Sequence, residues 1–500
     1  MAKLRPVLFY LFLFLLLAKV HVSLFDYACD DAYIHFRIAE NFITSGLPYY
    51  NLDERLMASS SSGWTLVLSA LFLIFGMNLK VIAVFNSLVS VSAAFIFARI
   101  AGKLSDKGGF LLEATVSSVV SLSLLMASVN LMETPLAVLL LGAGILFYLK
   151  NSPLSFVFFS ACIFFRLELA VFLPLFLAIG TDAKAFPAWK TALFSALGAI
   201  PFLIYDFYFF GTGIPHTIKA KSLVYTLTYA DVIKAGFPGW ISNGTLGSKA
   251  EFVLVLILAV NALVWGMKRR RDAGDQVIIA LSAGGLLIIL SYLASKAFIQ
   301  RWYIPLYIVP VLASSLIIAS KNKLLRFRVL PALAFVPFLV YSYNTAYASF
   351  IDRTSFRDIA FNARVRRYLE IGKTLHERYP DYNLMSSEIG GLGYSFKGKI
   401  YDGAGLVSDG ALKHHPMDVP GERSSGLFGS IPPGYVSEVK PDIIVSYDMF
   451  MEALARSDVM ENYILLKEDA YIAPDMDTFR EKGVDINIHL NVLIRKDSFL

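Results

Sequence analysis

Long apolar runs alternate with short charged connections over residues 1–350, and this pattern predicts a bundle of membrane-spanning helices. The first run, Val7–Leu24, is long enough to cross the roughly 30 Å hydrocarbon layer of a bilayer. Lys3 and Arg5 precede it, and basic residues beside a span stay on the cytoplasmic side. The acidic segment that begins at Asp26 is therefore expected to emerge on the outer side of the membrane.

The later runs bring the total to about eleven spans and leave every strongly basic connection in the cytoplasm. The clearest cytoplasmic mark is Lys268-Arg-Arg-Arg271. The run Trp64–Phe75 is too short to cross and is expected to lie along the outer surface, because counting it as a span would place that basic cluster outside. Leu154–Phe165 and Leu169–Ile179 are also short, which suits broken or tilted helices around a cavity. The other predicted spans are Val81–Ile100, Phe110–Val129, Leu136–Leu149, Thr191–Phe210, Phe252–Met267, Val277–Leu293, Tyr303–Ala319 and Val329–Tyr347.

The composition changes sharply at Asp352 and divides the chain into two domains. Residues 1–350 form a membrane-embedded module with outer loops at 25–80 and 211–249. The odd number of spans places residues 351–500 outside, where one amphipathic helix precedes short β-rich runs separated by turn residues. We therefore predict an α-helical polytopic membrane protein with a C-terminal extracytoplasmic α/β domain. The predicted helix is Arg364–Tyr379, and the predicted strands are Tyr382–Ser386, Lys399–Tyr401, Asp442–Ser446, Tyr463–Lys467 and Ile486–Ile494.

The composition agrees with a membrane protein and argues against other classes. Hydrophobic residues make up 56% of the chain and charged residues only 17%, which is too apolar for a soluble protein of this length. The net charge of +6 comes from short basic clusters between apolar runs, which mark topology and not a nucleic-acid surface. Cys29 and Cys162 provide neither a disulfide framework nor a metal motif. A cleaved signal peptide is the alternative for the first run, but no small-x-small site follows it cleanly.

Unusual polar residues lie at the predicted outer ends of the spans, which suggests a single polar cavity there. Ionisable groups near a membrane cost several kcal/mol unless they are paired or face water. The alternative is a fringe of snorkelling interfacial residues, which explains lysines well and acidic residues poorly. Likewise, the paired aspartates could simply cap a helix in a solvated loop. The residues at this level are Asp30, Asp31, Arg37, Glu133, Arg166, Glu168, His216, Lys219, Lys221 and Arg301.

Several outer motifs follow one another in an order that resembles the C-type (GT-C) integral-membrane glycosyltransferases. Within that family the likeness is greatest to the branch of the mycobacterial terminal arabinofuranosyltransferases. His216 stands where the family loop has Asn, which leaves the role of that position open. The motifs are Asp30-Asp31-Ala-Tyr-Ile-His-Phe-Arg37, Gly46-Leu-Pro-Tyr-Tyr-Asn51, Ser59-Ser-Ser-Ser-Gly63-Trp64, Met132-Glu133-Thr134-Pro135, Arg166-Leu-Glu168, Gly211-Thr-Gly-Ile-Pro215-His216-Thr217-Ile-Lys219-Ala-Lys221 and, more weakly, Ser387-Glu388-Ile-Gly-Gly391 and Asp402-Gly-Ala-Gly405.

The resemblance implies transfer of a sugar from a polyprenyl-phosphate-linked donor to an extracytoplasmic glycan, lipid-linked or cell-envelope acceptor, at the outer face of the cell (inner) membrane. An aspartate of the first outer loop would be the general base, and both Asp30 and Asp31 are open choices. The chemistry requires a base for the acceptor proton and cations for a phosphate leaving group that is already anionic. The candidate phosphate partners are Arg37, His216, Lys219, Lys221 and Arg301, and the candidate substrate-orienting residues are Glu133, Arg166 and Glu168.

Other functions stay open at this stage. A transporter or flippase of a lipid-linked sugar also places charges in a membrane cavity, but it usually shows two related halves, which this chain lacks. A non-catalytic scaffold for envelope assembly has no need of paired aspartates. No cofactor is required by the sequence, although adjacent carboxylates would accept a divalent cation. Asp409 with His414 and His415 lacks the spacing of a zinc site, and Gly390-Gly-Leu-Gly393 lacks the full dinucleotide fingerprint.

Overall fold

The computed structural model describes a mostly helical chain with a small mixed sheet near its carboxyl end. It describes residues 4–105, 109–179, 186–224, 229, 245–269, 272–295, 300–321, 357–417, 431–469 and 490–499. The helices before residue 322 are α1 Leu4–Leu24, α2 Asp30–Ser45, α3 Ser62–Phe75, α4 Leu79–Leu104, α5 Phe110–Val129, α6 Thr134–Tyr148, α7 Leu154–Ala161, α8 Phe172–Ile179, α9 Ala188–Phe210, α10 His216–Val224, α11 Thr245–Arg269, α12 Ala273–Ala294 and α13 Pro305–Ser320.

Within the described residues, six helices are long and apolar enough to cross a membrane: α1, α4, α5, α9, α11 and α12. The predicted spans α6 and α13 are also apolar helices but shorter, at 15 and 16 residues. The predicted last span, Val329–Tyr347, lies outside the described residues, so the total of about eleven stays a prediction. The predicted surface helix is α3, which is 14 residues long. The polytopic helical architecture is confirmed.

The two short spans expected between residues 154 and 179 form one interrupted segment. Between α7 and α8 the chain makes 3-10 turns at Cys162–Phe164 and Leu167–Val171, and Arg166 is extended between them. Irregular backbone at membrane depth is tolerated only inside protein or beside a water-filled cavity. The break therefore turns the Arg166 side chain, which is buried, into the interior of the bundle.

The C-terminal domain is a three-layer α/β unit. Its sheet has the order β2-β1-β3-β5-β4, in which β1 pairs in parallel with β2 and β3, and β5 runs antiparallel to β3 and β4. All five strands lie where the sequence predicted them. The elements are α14 Arg357–Arg378, β1 Leu384–Ser386, α15 Gly390–Phe396, β2 Ile400–Asp402, α16 Pro433–Val439, β3 Ile443–Tyr447, α17 Asp448–Ala455, β4 Tyr463–Asp469, β5 Leu490–Arg495 and α18 Lys496–Phe499.

Helix α2 lies between the membrane bundle and this domain and belongs to both cores. Ile34 and Ile38 pack into the core that contains α14, α15 and the sheet. Phe36, on another side of the helix, packs into the core of the bundle. The loop after α2 adds polar contacts, since the Tyr50 hydroxyl donates to the Ile389 carbonyl at 2.6 Å. The outer domain is therefore docked directly onto the segment that carries the paired aspartates.

Candidate functional site

Asp30 joins the two domains through its carboxylate. The backbone N–H groups of Gly390 and Gly391, at the start of α15, donate to it at 2.8 and 2.9 Å. A Cβ atom at Gly390 would lie 1.8 Å from the Asp30 carbonyl oxygen, so only glycine permits this approach. Burial raises the pKa of Asp30, and the two N–H groups partly oppose that rise. The Asp30 side chain is thus committed to a structural contact.

Asp31, the next residue, is placed differently. Like Asp30 it is half-buried, but its carboxylate makes neither a hydrogen bond nor an ion pair with any residue that the structure describes. His35 follows one turn later on α2, and its Nδ1 lies 3.0 Å from the Ser59 hydroxyl. Burial lowers the pKa of His35 to about 4, so the ring is neutral at neutral pH. The charges of Asp31, Arg166 and Lys221 all act on the pKa of this ring, so the three groups lie in its neighbourhood.

Glu133, Arg166 and Glu168 form one buried ionic cluster. Arg166 pairs with Glu133 at 3.0 Å and with both oxygens of Glu168. Its guanidinium also lies 3.6 Å from the centre of the Tyr303 ring, and the Tyr292 hydroxyl donates to Glu168. The second oxygen of Glu133 is buried without a hydrogen-bond donor from the described residues. The structure therefore brings together the three residues predicted to orient the substrate.

Arg37 lies at the interface between the domains. Its guanidinium donates to the carbonyl oxygens of Tyr50 at 2.9 Å, Gly393 at 2.6 Å and Gly398 at 2.7 Å. It also stacks over the Tyr50 ring with 4.3 Å between the charge and the ring centre. These contacts connect α2 to the middle of α15 and to the loop after it. Arg37 therefore has a structural role beside its predicted role as a phosphate partner.

His216 and Lys219, at the start of α10, face the outer domain. The His216 Nε2 lies 3.1 Å from the Gly405 carbonyl oxygen, and burial lowers the pKa of this histidine. The Lys219 ammonium donates to Asp409 at 2.8 Å, and more than half of each side chain is exposed. Both residues thus contact the outer domain, His216 at Gly405 and Lys219 at Asp409.

Lys221 differs from Lys219 in having no hydrogen bond or ion pair to a described residue. Lys221 lies in α10, and its positive charge acts on the pKa of His35. Arg301 begins the 3-10 turn Arg301–Tyr303 before α13, and Tyr303 is the ring that covers Arg166. Both cations therefore belong to elements that border the space around Asp31.

Glu388 was not assigned a role from the sequence, although it lies in one of the quoted motifs. It follows β1 and pairs with Arg364 at 2.5 Å. Its Oε2 is buried and receives no hydrogen bond from the described residues. Burial, opposed by Arg364 and assisted by the charges of Asp30 and Asp31, raises the pKa of Glu388 to about 7. The sequence signal was only an acidic residue at the end of a predicted strand.

Asp206 was also missed. It is fully buried within α9, where Ser62 donates to one of its oxygens at 3.3 Å and the other oxygen has no described partner. Ser62 is the first residue of α3, whose N-cap Ser61 accepts from the Trp64 N–H. A carboxylate inside an apolar run is the signal that could have identified it.

No group of three or more His, Cys, Asp or Glu side chains within the described residues is arranged to bind a metal ion. His414 lies 3.0 Å from Glu438 instead, and His415 lies 2.8 Å from the Gly403 carbonyl oxygen. The glycine loop Gly390–Gly393 uses its first two N–H groups on Asp30. The chain therefore offers no described alternative site of the kinds weighed from the sequence.

The chain is similar to the crystal structure of ArnT from Cupriavidus metallidurans bound to undecaprenyl phosphate. The match covers 98% of both chains with a TM-score of 0.57 and 11% sequence identity. At that identity the likeness establishes the fold, and the expected GT-C-like architecture of helical membrane module and carboxy-terminal domain is confirmed. No protein-family model and no curated protein sequence matches the chain.

Proposed function

We propose that the chain is a glycosyltransferase that moves a sugar from a polyprenyl-phosphate-linked donor to a hydroxyl group of an extracytoplasmic glycan, lipid-linked or envelope acceptor. The observation that carries the proposal is the contrast between the two aspartates. Asp30 is bound by two N–H groups of the outer domain, whereas the Asp31 carboxylate has no described bonding partner. The fold supports the donor class, because the ArnT structure was determined with undecaprenyl phosphate bound.

Asp31 is the general base in this proposal. It accepts the proton of the acceptor hydroxyl while the oxygen attacks the anomeric carbon and the bond from that carbon to the phosphate oxygen breaks. The electron pair leaves with the phosphate, which gains negative charge and needs a nearby cation. Both oxygens of Asp30 already accept a backbone N–H, so Asp30 is less accessible to an acceptor hydroxyl than Asp31.

Lys221 is the first phosphate partner in this proposal, and Arg301 is the second. Arg166 lies in the same space, but Glu133 and Glu168 already use its donors. We therefore assign Arg166 and the two glutamates to shaping the cavity. Arg37, Lys219 and His216 serve the contact with the outer domain in this account, since their donors are directed to that domain.

A transfer assay tests the proposal. The full chain in bilayer nanodiscs would receive radiolabelled polyprenyl-phosphate sugars purified from a deletion strain, together with the envelope fraction of that strain. We expect the label to move to the envelope fraction. Alkali treatment should show that a covalent glycosidic bond holds it there. Movement of intact labelled lipid across a bilayer without a new bond would instead identify a flippase, and loss of envelope assembly without either activity would indicate a scaffold.

The transferred sugar, the orientation of the chain in the membrane and the use of a divalent cation can each be tested separately. The resemblance to the terminal arabinofuranosyltransferases leaves the sugar open, and the polyprenyl-phosphate sugar that accumulates in the deletion strain would name it. The amino terminus lies in the cytoplasm and the outer domain outside the cell membrane. Reporters fused after Arg271 and after Asp352 should be active only inside and only outside, respectively. Addition of a chelator to the transfer assay tests a divalent cation.

A further inference from the structure

In the outer domain the carboxyl ends of two neighbouring parallel strands, β1 and β3, lie side by side. Strand β1 leads into α15, whose Leu392 packs on the face of the sheet covered by α14. Strand β3 leads into α17, whose Leu454 packs on the opposite face. Beyond their carboxyl ends, β1 connects to β2 on one side of the sheet and β3 connects to β4 on the other, so the point between them is a topological switch point, where open α/β sheets form a crevice. Ligands of open α/β sheets bind in clefts of this kind.

Polar groups line this crevice. The Ser387 and Ser446 hydroxyls lie 3.0 Å apart across it, and the buried Oε2 of Glu388 has no described donor. A buried carboxylate oxygen without a donor is costly, so a ligand that supplies a hydroxyl hydrogen would stabilise it. The charged and titratable groups that act on or face Glu388 are Arg364 and Tyr368 of α14, Asp30 and Asp31 of α2, and Tyr447 of β3.

The crevice lies beside the first turn of α2, which carries Asp30 and Asp31. Two residues after Glu388, the Gly390 and Gly391 N–H groups bind Asp30, the neighbour of Asp31. The Asp31 charge is close enough to act on Glu388. A molecule held at the ends of β1 and β3 would thus present its exposed end to the carboxylate that the proposed function makes the base.

We propose that this crevice is the acceptor site, and that Glu388 positions the acceptor by accepting a hydrogen bond from one of its hydroxyl groups. The inference rests on the proposed function and adds to it that the outer domain, and not the membrane module alone, binds the acceptor. The acidic surroundings favour an acceptor with several hydroxyl groups and without negative charge at this point. Glu388 takes no proton from the reacting hydroxyl; that proton goes to Asp31.

The test measures rate against each substrate separately in the nanodisc assay. The probes are the labelled polyprenyl-phosphate sugar and the envelope fraction, each titrated at a fixed level of the other. Glu388→Gln should raise the acceptor amount that gives half-maximal rate by about 10- to 100-fold, as expected when a charged hydrogen-bond partner is lost. The half-saturating donor concentration should stay unchanged. Glu438→Gln is the matched control, because Glu438 lies in the same domain and pairs only with His414 and the exposed Lys413 among described residues.

A pH series separates positioning from folding. Because the pKa of Glu388 is about 7, wild-type acceptor affinity should fall as the pH decreases from 8 to 6 and the carboxylate gains a proton. The Gln variant should lack this dependence, and Glu388→Asp should restore part of the affinity. The inference is overturned if the Gln variant loses donor and acceptor affinity equally, or if it keeps the acceptor affinity of the wild type. In either case, transfer by the wild type upholds the proposed function. Absence of transfer by the wild type overturns both.

Discussion

Asp30 and Asp31 are adjacent, chemically identical residues whose surroundings give them different tasks. The helix turns by about 100° per residue, so two neighbouring side chains on α2 point to different places. Asp30 points to the first turn of α15 and accepts two N–H groups. Asp31 lies one helical turn before His35 on α2, and its charge acts on the His35 ring. We therefore expect substitutions of Asp30 and Asp31 to have different effects.

Asp31→Asn should lower transfer by about 10²- to 10⁴-fold, as expected for loss of a general base, with little change in thermal stability. Asp30→Asn should instead lower the free energy of unfolding by about 1–3 kcal/mol, because one amide donor would face a buried N–H group. Transfer assays and thermal unfolding in detergent measure the two effects. Full activity of the Asp31 variant, together with an inactive but stable Asp30 variant, would exchange the two roles.

Lys219 and Lys221 form a natural pair of test and control on α10. Lys221→Ala should raise the donor concentration at half-maximal rate by about 10- to 100-fold, since a charge-assisted contact to phosphate is lost. Lys221→Arg should restore part of it. Lys219→Ala removes an exposed ion pair with Asp409, which is worth at most about 1 kcal/mol, so its donor use should match the wild type. Unchanged donor use in both variants would move the phosphate site to Arg301.

At the scale of elements, the break between α7 and α8 is the feature that shapes the cavity. A continuous helix from Leu154 to Ile179 would have satisfied its own backbone and placed Arg166 on one side of a cylinder. The two 3-10 turns place it inside the bundle, between Glu133 and Glu168. The break thus brings the charged side chains of the cluster together, and their pairing in turn stabilises the broken backbone.

Arg166→Ala should therefore destabilise the bundle by about 3–5 kcal/mol, because it leaves two buried carboxylates without their cation. Arg99→Ala is the control: Arg99 pairs with Glu113 at 3.2 Å while half of its side chain is exposed, so its loss should cost at most about 1 kcal/mol. Thermal unfolding in the same detergent compares them. Similar stability of the two variants would show that the cluster does not support the break.

At the scale of the whole molecule, α2 and the loop after it transmit the position of the outer domain to the site. Ile34 and Ile38 lie in one core and Phe36 in the other. Arg37 adds hydrogen bonds to Gly393 and Gly398. Cys29 is buried beside the Asn130 carbonyl oxygen, and the Asn130 side chain accepts a hydrogen bond from Asn362 of the outer domain. Separation of the domains would break that contact and loosen the surroundings of Cys29.

Arg37→Ala should accordingly increase the rate at which a maleimide labels Cys29 by about 10-fold, equivalent to about 1.4 kcal/mol of docking free energy. Cys162, the other cysteine, is buried in the bundle and should stay unlabelled. Arg55→Ala is the control, because Arg55 donates to the carbonyl oxygens of Tyr208 and Phe209 within the membrane module. Equal labelling of Cys29 in both variants would contradict a docking role for Arg37.

The sequence by itself determined the elements and their order. Apolar runs, strand-like runs and turn residues are local signals. Helices α4 and α5 and the five strands therefore lie where periodicity placed them. The interruption near Arg166 was also readable, because the flanking runs are too short to cross a bilayer. The motif order indicated the fold that the similarity to ArnT confirms.

Only the tertiary structure decided which charges are available for chemistry. Asp30 meets Gly390 from 360 positions away, and Arg37 meets Gly393 from 356. Contacts at such separations have no local signature, so Asp30 and Asp31, or Lys219 and Lys221, look alike in the sequence. Glu388 gained its significance in the same way, because a strand end becomes a crevice only when its neighbours in the sheet are known.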